Sequence, residues 1–150
     1  MGDRRAVATS AAPAPVGPYS QAIAAGGVLY CSGQIALDAA TGALDAGGAA
    51  LQTRRCLSNL EIVAHAGGGA LVEAARLTVY VVDLDENGVE VNDAYEHFFA
   101  MAPGPAPARV TVGVAALPKG ALVEIDAVVP VEDPSPTLKG RGGIAEADLT

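Results

Sequence analysis

The sequence is short of aromatic residues, of basic residues and of long apolar runs. Only 4% of its 150 residues are aromatic and none is tryptophan, so the stacking platforms on which proteins hold unpaired bases are scarce. Nine lysines and arginines against 17 aspartates and glutamates leave a net charge of −8, which opposes contact with a phosphate backbone or an anionic membrane surface. No stretch is long and apolar enough to cross a bilayer. We therefore expect neither a nucleic-acid partner nor a membrane partner.

Cysteine is scarce too. Cys31 and Cys56 form neither a metal-ligand spacing nor a disulfide framework, and Cys31 lies in an apolar pattern where we expect a buried, inert thiol. The first 15 residues have alanine, proline and threonine where a signal peptide has a strongly apolar centre. These features predict a protein of the reducing cytoplasm.

What the sequence has in abundance is apolar side chains. Hydrophobic residues make up 51% of the chain and charged residues 17%, a balance typical of one well-packed domain at this length. Small, polar and proline-containing residues at 1–13 predict a flexible N-terminal arm. The pattern then predicts a single domain over 14–132 and, where periodicity is lost, a flexible C-terminal tail over 133–150.

The apolar pattern predicts the element order strand, strand, helix, strand, helix, strand, strand. Alternating runs at 19–24 and 28–34 flank Gly26-Gly27, a two-residue hairpin signal. Helical spacing of apolar residues over Ala49–Ala66 predicts the first helix, which Gly67-Gly68-Gly69 should end. Ala74–Val82 alternates like a strand. Asn87, followed three residues later by Glu90, predicts the start of the second helix.

This order predicts a two-layer α+β domain in which two helices cover one face of a mixed sheet. The other face, on which we place Val79 and Val81, then lacks a cover. An exposed apolar sheet face is typical of a protein–protein contact, so we expect a homo-oligomer that buries it.

The stretch Pro107–Asp126 is predicted to be a hairpin around the turn Leu117-Pro118-Lys119-Gly120. Its two strands carry one cation, Arg109, and one anion, Glu124, each among apolar residues. A buried charge is costly unless it is paired or solvated. Two interpretations follow: an internal ion pair that stabilises the hairpin, or a site in which Arg109 grips an anion and Glu124 handles a proton or a water.

Several short motifs, in this order, resemble those of the RidA/YjgF reactive-intermediate deaminases. They span roughly residues 14–131, nearly the whole predicted domain, and are specific as a set although each is weak alone. They are Gly17-Pro18-Tyr19-Ser20-Gln21-Ala22, Cys31-Ser32-Gly33-Gln34-Ile35, Val91-Asn92-Asp93-Ala94-Tyr95 with Phe98-Phe99, Pro107-Ala108-Arg109, Leu117-Pro118-Lys119 and Val123-Glu124-Ile125.

The resemblance implies a chorismate-mutase-like fold and a homotrimer with clefts between subunits. It implies hydrolysis of 2-imino and 2-amino-enoic acids, such as 2-iminopropanoate, to 2-keto acids and ammonia, with no metal or organic cofactor. Arg109 resembles the arginine that holds the substrate carboxylate, and Glu124 the glutamate that positions water. Tyr19 matches a residue that lines the cleft, and two roles stay open for it: a catalytic hydroxyl donor or an amphipathic residue at an interface. The residues that would line the cleft are Ser32, Gly33, Asn92 and Thr111. Which subunit supplies which residue stays open.

Two residues depart from the family pattern. Thr111 stands where well-known members have cysteine, and Val110 replaces a common serine or threonine. If hydrolysis needs only the backbone carbonyl at 111, the reaction is unaffected by threonine. If the cysteine thiol shapes the pocket in those members, the substrate specificity of this chain differs from theirs. Two alternatives to a broad-range deaminase therefore stay open: a pathway-specific deaminase with a shifted substrate, and a non-catalytic small-ligand-binding or interaction protein.

Overall fold

Strands that alternate buried and exposed side chains form a single mixed sheet in this computed structural model, which describes residues 3–132. The strands are β1 (Arg5–Val7), β2 (Ala22–Ala25), β3 (Val28–Gln34), β4 (Arg76–Val82), β5 (Ala108–Val114) and β6 (Val123–Pro130), and the helices are α1 (Ala49–Ala66) and α2 (Leu84–Phe99). The strand order is β1-β2-β3-β6-β4-β5. Both helices pack on one face, which confirms the predicted two-layer α+β architecture.

The β2–β3 hairpin forms where the sequence predicts it. Ala25 pairs with Val28, so Gly26 and Gly27 are the whole loop, and their φ angles are 58° and 77°. Two consecutive positive φ angles match the twist of the flanking strands in a tight hairpin, and glycine adopts them without a steric penalty.

Helix α1 begins and ends at the predicted residues. Its buried side packs against β3 and β6 through fully buried side chains that include Cys56, Leu57 and Leu60. Gly67 follows its last turn, and its backbone N–H donates to the carbonyls of Val63 and Ala64. The helix is thus an amphipathic element fixed by the core beneath it.

Helix α2 begins one turn earlier than predicted. Asp83, not Asn87, is its N-cap: its side chain accepts from the Glu86 N–H, and its φ is 55°. Asn87 lies inside the helix, where its side-chain amide donates to the Val82 carbonyl at 2.7 Å. Asp83 and Glu86 have the same spacing as Asn87 and Glu90, so the sequence holds two overlapping cap patterns, and the first one starts the helix.

The prediction that Val79 and Val81 face away from the helices was wrong. They are 1% and 0% exposed and belong to the core under the helices. Alternation fixes which residues share a face but not which face receives the helices. The uncovered face is the opposite one, on which Tyr30 is 51% and Val110 43% exposed.

The predicted hairpin between β5 and β6 does not form. Strand β5 pairs in parallel with β4, to which α2 connects it, and β6 lies antiparallel between β3 and β4. The predicted turn is present, with a 3₁₀ turn at Pro118–Gly120, but it carries the chain across β4. Apolar alternation identifies a strand without identifying its neighbour. Here the β4–α2–β5 crossover places β5 beside β4, so β5 does not pair with β6.

The N-terminal segment differs from the predicted flexible arm. Arg5–Val7 pair with β2 as the edge strand, and Val7 and Ala12 are buried. The buried side-chain amide of Gln21 holds the following segment: its Oε1 accepts from the Thr9 N–H, and its Nε2 donates to the carbonyls of Thr9 and Pro13. The predicted tail over 133–150 lies outside the described residues. Neither α1 nor α2 has the length and apolar character that a bilayer-crossing helix needs.

Candidate functional site

The predicted site residues fall into two groups on opposite faces of the sheet. Arg109 pairs with Leu77, and both side chains share the face that the helices cover; Glu124 pairs with Tyr80 on the uncovered face. Directly paired residues point to the same side of a sheet. Strand β4 also lies between them. The internal Arg109–Glu124 ion pair is therefore wrong, because the sheet separates the two side chains.

The first group, which we call the arginine half-site, lies between β5 and α2. It borders a cavity of about 110 Å³, and its members are Arg109, Thr111, Asn92, Tyr95, Val79, Gly88 and Val91. The Arg109 Nη1 donates to the Asn92 Oδ1 at 2.8 Å, and the guanidinium carbon lies 4.9 Å from the centroid of the Tyr95 ring. Arg109 and Asn92 thus meet within one chain.

Arg109 is exposed, although the sequence predicts an apolar setting for it. Strand β5 forms the edge of the sheet opposite β1, so its helix-side residues project past the core. Beneath it, Tyr95 is only 7% exposed, and among residues 3–132 its hydroxyl has no hydrogen-bond partner. Burial raises the pKa of Tyr95, while the positive charge of Arg109 acts in the opposite direction. The half-site thus combines a solvated cation with a buried aromatic ring.

The second group, the glutamate half-site, lies on β3 and β6 in the middle of the sheet order, on the uncovered face. It borders a cavity of about 320 Å³ lined by Val16, Tyr19, Ser32, Gly33, Ile35, Pro118 and Glu124. Sequence motifs predicted four of these residues. Val16, Ile35 and Pro118 were missed as lining residues, although each lies within or beside a motif segment.

A β-bulge shapes the glutamate half-site. Cys31 pairs with Ala127 and Gln34 with Ile125, so Ser32 and Gly33 together oppose the single residue Asp126. A Cβ on Gly33 would overlap the Glu124 carboxylate and would lie 2.9 Å from its Cδ. The carboxylate therefore rests against the backbone of the bulge, in a space that only glycine leaves free.

Glu124 is partly buried, and burial raises the pKa of its carboxyl; the nearby Asp126 carboxylate raises it further. Asp126 itself accepts a hydrogen bond from the Tyr80 hydroxyl at 3.1 Å. A carboxyl of raised pKa holds its proton at a higher pH than an ordinary glutamate. The shift therefore moves Glu124 towards the pKa range in which a general acid or base is effective.

The rim of this half-site is tied down by local hydrogen bonds. The Tyr19 hydroxyl accepts from the Val16 N–H at 3.2 Å, and Tyr19 is 46% exposed. The Ser32 hydroxyl donates to the Ser20 carbonyl at 2.7 Å. Ser32 thus holds the segment that carries Tyr19, while the Tyr19 hydroxyl hydrogen has no acceptor within the part of the chain that the structure describes.

Both thiols are buried, as expected for Cys31. Burial raises the pKa of Cys31 to about 11, with Asp126 adding to the effect, and burial also raises the pKa of Cys56. A thiol in this state has almost no thiolate at neutral pH, so neither is a ready nucleophile. Within residues 3–132 no cluster of histidine, cysteine, aspartate and glutamate side chains is arranged to hold a metal ion.

A groove of about 750 Å³ beside the end of α1 exceeds both half-site cavities in volume. Its lining includes Glu61, Ile62, His65 and Leu71. None of the predicted site residues borders it, and its two titratable side chains are one helical turn apart on an exposed face. Volume alone therefore does not identify the reactive region.

Known proteins resemble this chain along most of its length. A family model described as Endoribonuclease L-PSP matches residues 9–131. A RutC family protein, y4sK of Sinorhizobium fredii, is 44% identical over 123 residues, covering 82% of this chain and 94% of the relative. A Rattus norvegicus protein named 2-iminobutanoate/2-iminopropanoate deaminase is 39% identical over 125 residues, covering 83% and 88%. YyfA from Yersinia pestis, described as a Rid family protein, has a solved structure with a TM-score of 0.80 at 40% identity, covering 86% and 100%.

Proposed function

This chain belongs to the RidA/YjgF family, the Endoribonuclease L-PSP family of the matching model, and from that premise we propose that it is a cytoplasmic imine/enamine deaminase. Its proposed substrates are 2-imino and 2-amino-enoic acids such as 2-iminopropanoate, which it hydrolyses to 2-keto acids and ammonia. A relative named for this reaction, 39% identical over most of both chains, supports the class of reaction.

The observation that carries the proposal is the division of the site residues between two faces. Arg109 and Asn92 meet on the helix-covered side, whereas Tyr19, Gly33 and Glu124 meet on the uncovered side. Neither half-site has both a carboxylate-binding cation and a proton-transferring acid. We propose that the arginine half-site of one subunit faces the glutamate half-site of the next in a homotrimer, which would also cover the exposed apolar sheet face.

Arg109 is the proposed carboxylate holder. A guanidinium binds a carboxylate through two parallel N–H donors, and this contact fixes the plane of the adjacent C=N bond. Asn92 occupies one donor of Nη1, and among residues 3–132 the edge formed by Nε and Nη2 is free for such a contact. Thr111, two residues along the same edge strand, would border the substrate side chain.

Glu124 is the proposed acid and base. In its protonated form it donates to the imine nitrogen; the resulting carboxylate then accepts a proton from the water that attacks the imine carbon. The carbinolamine so formed loses ammonia and leaves the 2-keto acid. The raised pKa of Glu124 suits this exchange, and the Tyr19 hydroxyl across the same cavity is the proposed second donor.

The name of the matching family model suggests a nuclease, but the charge of this chain argues against one. A net charge of −8 repels a phosphate backbone. A pathway-specific deaminase remains the alternative that Thr111 and Val110 favour, since Thr111 borders the arginine half-site. A non-catalytic ligand-binding protein is the alternative that the assay below excludes or supports.

Ammonia release from 2-iminopropanoate generated in situ tests the proposal. We expect turnover by the wild type and little above the uncatalysed rate by Arg109→Ala. A parallel series of bulkier imino acids compares the broad with the pathway-specific enzyme. A wild type that binds 2-ketobutyrate without accelerating ammonia release would support the ligand-binding alternative and overturn the deaminase.

A further inference from the structure

Two contacts from helix α2 hold the side chain of Arg109. The Asn92 Oδ1 accepts a hydrogen bond from Nη1 at 2.8 Å, and the Tyr95 ring lies 4.9 Å from the guanidinium carbon. Asn92 and Tyr95 are three residues apart on the helix and so occupy neighbouring positions on one side of it. One contact lies at an edge of the guanidinium and the other involves the face of an aromatic ring.

The two partners differ in how firmly they are themselves held. Asn92 and Arg109 are both exposed, whereas Tyr95 is 7% exposed and its ring packs against the Phe99 ring with centroids 4.8 Å apart. An exposed arginine has many rotamers, and ordering it costs conformational entropy. The buried Tyr95 ring is therefore the fixed support of the guanidinium, and the exposed Asn92 amide orients the guanidinium through a hydrogen bond.

Resting on the proposed function, we propose that Tyr95 is a positioning residue: its ring fixes the guanidinium plane of Arg109 for the substrate carboxylate. Asn92 then sets the rotation of the group within that plane. A cation next to an aromatic ring is attracted to the negative face of the π-system. Preorganisation of this kind lowers the cost of ordering the arginine when the substrate binds.

The hydroxyl of Tyr95 is not needed for this role. Among residues 3–132 it is buried without a hydrogen-bond partner. A buried polar group that lacks a partner destabilises a fold. Tyr95→Phe keeps the ring and removes the unpaired hydroxyl, so it separates positioning by the ring from any action of the hydroxyl.

Three variants test the proposal. Tyr95→Phe keeps the support, Tyr95→Leu removes it, and Phe98→Leu removes a ring of the same helix that packs against Phe99. For each we would measure KM and kcat for 2-iminopropanoate, binding of 2-ketobutyrate, and Tm. In ¹⁵N spectra the Nε–H signal of Arg109, assigned with Arg109→Lys, reports the ring directly because an aromatic face shifts it. This measurement does not require the protein to be catalytically active.

We expect Tyr95→Leu to raise KM roughly three- to thirtyfold, the range that cation–π energies span, with a smaller change in kcat and a shifted Arg109 signal. Tyr95→Phe should keep the wild-type KM and signal and should raise Tm. Phe98→Leu should lower Tm without raising KM. If Tyr95→Leu does not fold, Tyr95→Met replaces it, since methionine fills a similar space without a ring.

Two results would overturn the proposal: a wild-type Arg109 signal and KM in the folded ring-less variant, or an equal rise of KM in Tyr95→Phe. The proposed function fails separately, through a wild type without turnover. In that case the Arg109 signal and 2-ketobutyrate binding still show whether Tyr95 supports the arginine.

Discussion

The two half-sites hold their charged groups in different ways. In the arginine half-site an exposed side chain on an edge strand is held by side chains, Asn92 and Tyr95, that come from a helix. In the glutamate half-site a partly buried carboxylate lies against backbone, at the bulge that Ser32 and Gly33 form. The cation stays solvated and permanently charged, which suits binding. The carboxyl has a raised pKa, which suits proton transfer.

The comparison also shows that one copy of the chain keeps the two proposed roles apart. Binding and proton transfer are assigned to opposite faces of one sheet, so no change of side-chain rotamer brings them together. The proposed function therefore requires a second copy of the chain. This dependence gives the largest effect that a variant can produce, because activity becomes a property of the assembly.

Mixing two inactive variants is the most direct test of whether the two half-sites of one active site come from different subunits. Arg109→Ala and Glu124→Gln damage different half-sites, so random mixed oligomers should contain about a quarter intact sites if each site joins two subunits. Activity should therefore return from near zero to roughly a quarter of the wild-type value. Ammonia release after co-refolding, with sedimentation of the active species, measures it.

The matched control for that mixture is Arg109→Ala with Asn92→Ala. Both residues belong to the arginine half-site of the same chain, where they lie 2.8 Å apart, so this mixture should recover far less than the first. Equal recovery by both mixtures, or a fully active monomer, would show that the division between subunits is wrong.

Arg109→Lys sharpens the role of the arginine half-site. Lysine keeps the charge but loses the planar pair of donors, whose charge-assisted contact is worth about 1.5–3 kcal/mol. We expect kcat/KM for 2-iminopropanoate to fall roughly ten- to a hundredfold while Tm stays near the wild-type value. Arg54→Lys, the same change on an exposed side of α1, should leave the kinetics unchanged. Near-wild-type kinetics for Arg109→Lys would contradict the bidentate contact.

Gly33→Ala tests whether the backbone of the β-bulge positions the Glu124 carboxylate in the glutamate half-site. The new methyl group would overlap the Glu124 side chain, whose far end is able to move, so Tm should change by little while kcat falls roughly tenfold or more. In a Glu124→Gln background, Gly33→Ala should lower kcat by a much smaller factor, because the side chain that the new methyl group displaces is already altered. Fully additive losses would show that Gly33 acts independently of Glu124.

Local patterns in the sequence predicted much of the fold and less of the site. Helix α1 and the Gly26-Gly27 hairpin follow from periodicity and turn chemistry over a few residues. Which strand lies beside β5, and which face of β4 receives the helices, depend on contacts between distant segments. Alternation says nothing about either. For the same reason the sequence placed Arg109 and Glu124 on one hairpin, although their residue types and motifs were recognisable.

Tyr95 shows a second limit of the sequence. It lies within a recognised motif, and its apolar spacing marks it as a core residue of α2, which it is. Its contact with Arg109 depends on β5 lying beside β4 at the edge of the sheet, and nothing local encodes that position. The bulge at Ser32 and Gly33 is similar, because one extra residue in β3 is defined only against β6.

The smallest expected effect concerns the pH dependence of stability, which distinguishes the two half-sites without any substrate. Because the folded-state pKa of Glu124 is raised, its stabilising contribution is complete below the ordinary glutamate pKa and is lost as pH rises through the folded-state pKa. Glu124→Gln removes this loss. The free energy of unfolding of the variant should match the wild type below the ordinary glutamate pKa and should exceed it by a constant amount once pH has risen above the folded-state pKa. Urea unfolding at equal protein concentration measures the difference.

Asp126→Asn is the matched comparison for that titration. It removes the smaller cause of the raised Glu124 pKa and leaves the larger cause, burial, so the loss of stability with pH should shrink without disappearing. Arg109→Lys, in the other half-site, should leave the slope unchanged, since lysine and arginine are both charged over this range. A wild type whose stability relative to Glu124→Gln instead rises with pH would mean that the Glu124 pKa is lowered. In that case the carboxyl would be a permanent anion, and the assignment of proton transfer to the glutamate half-site would have to be abandoned.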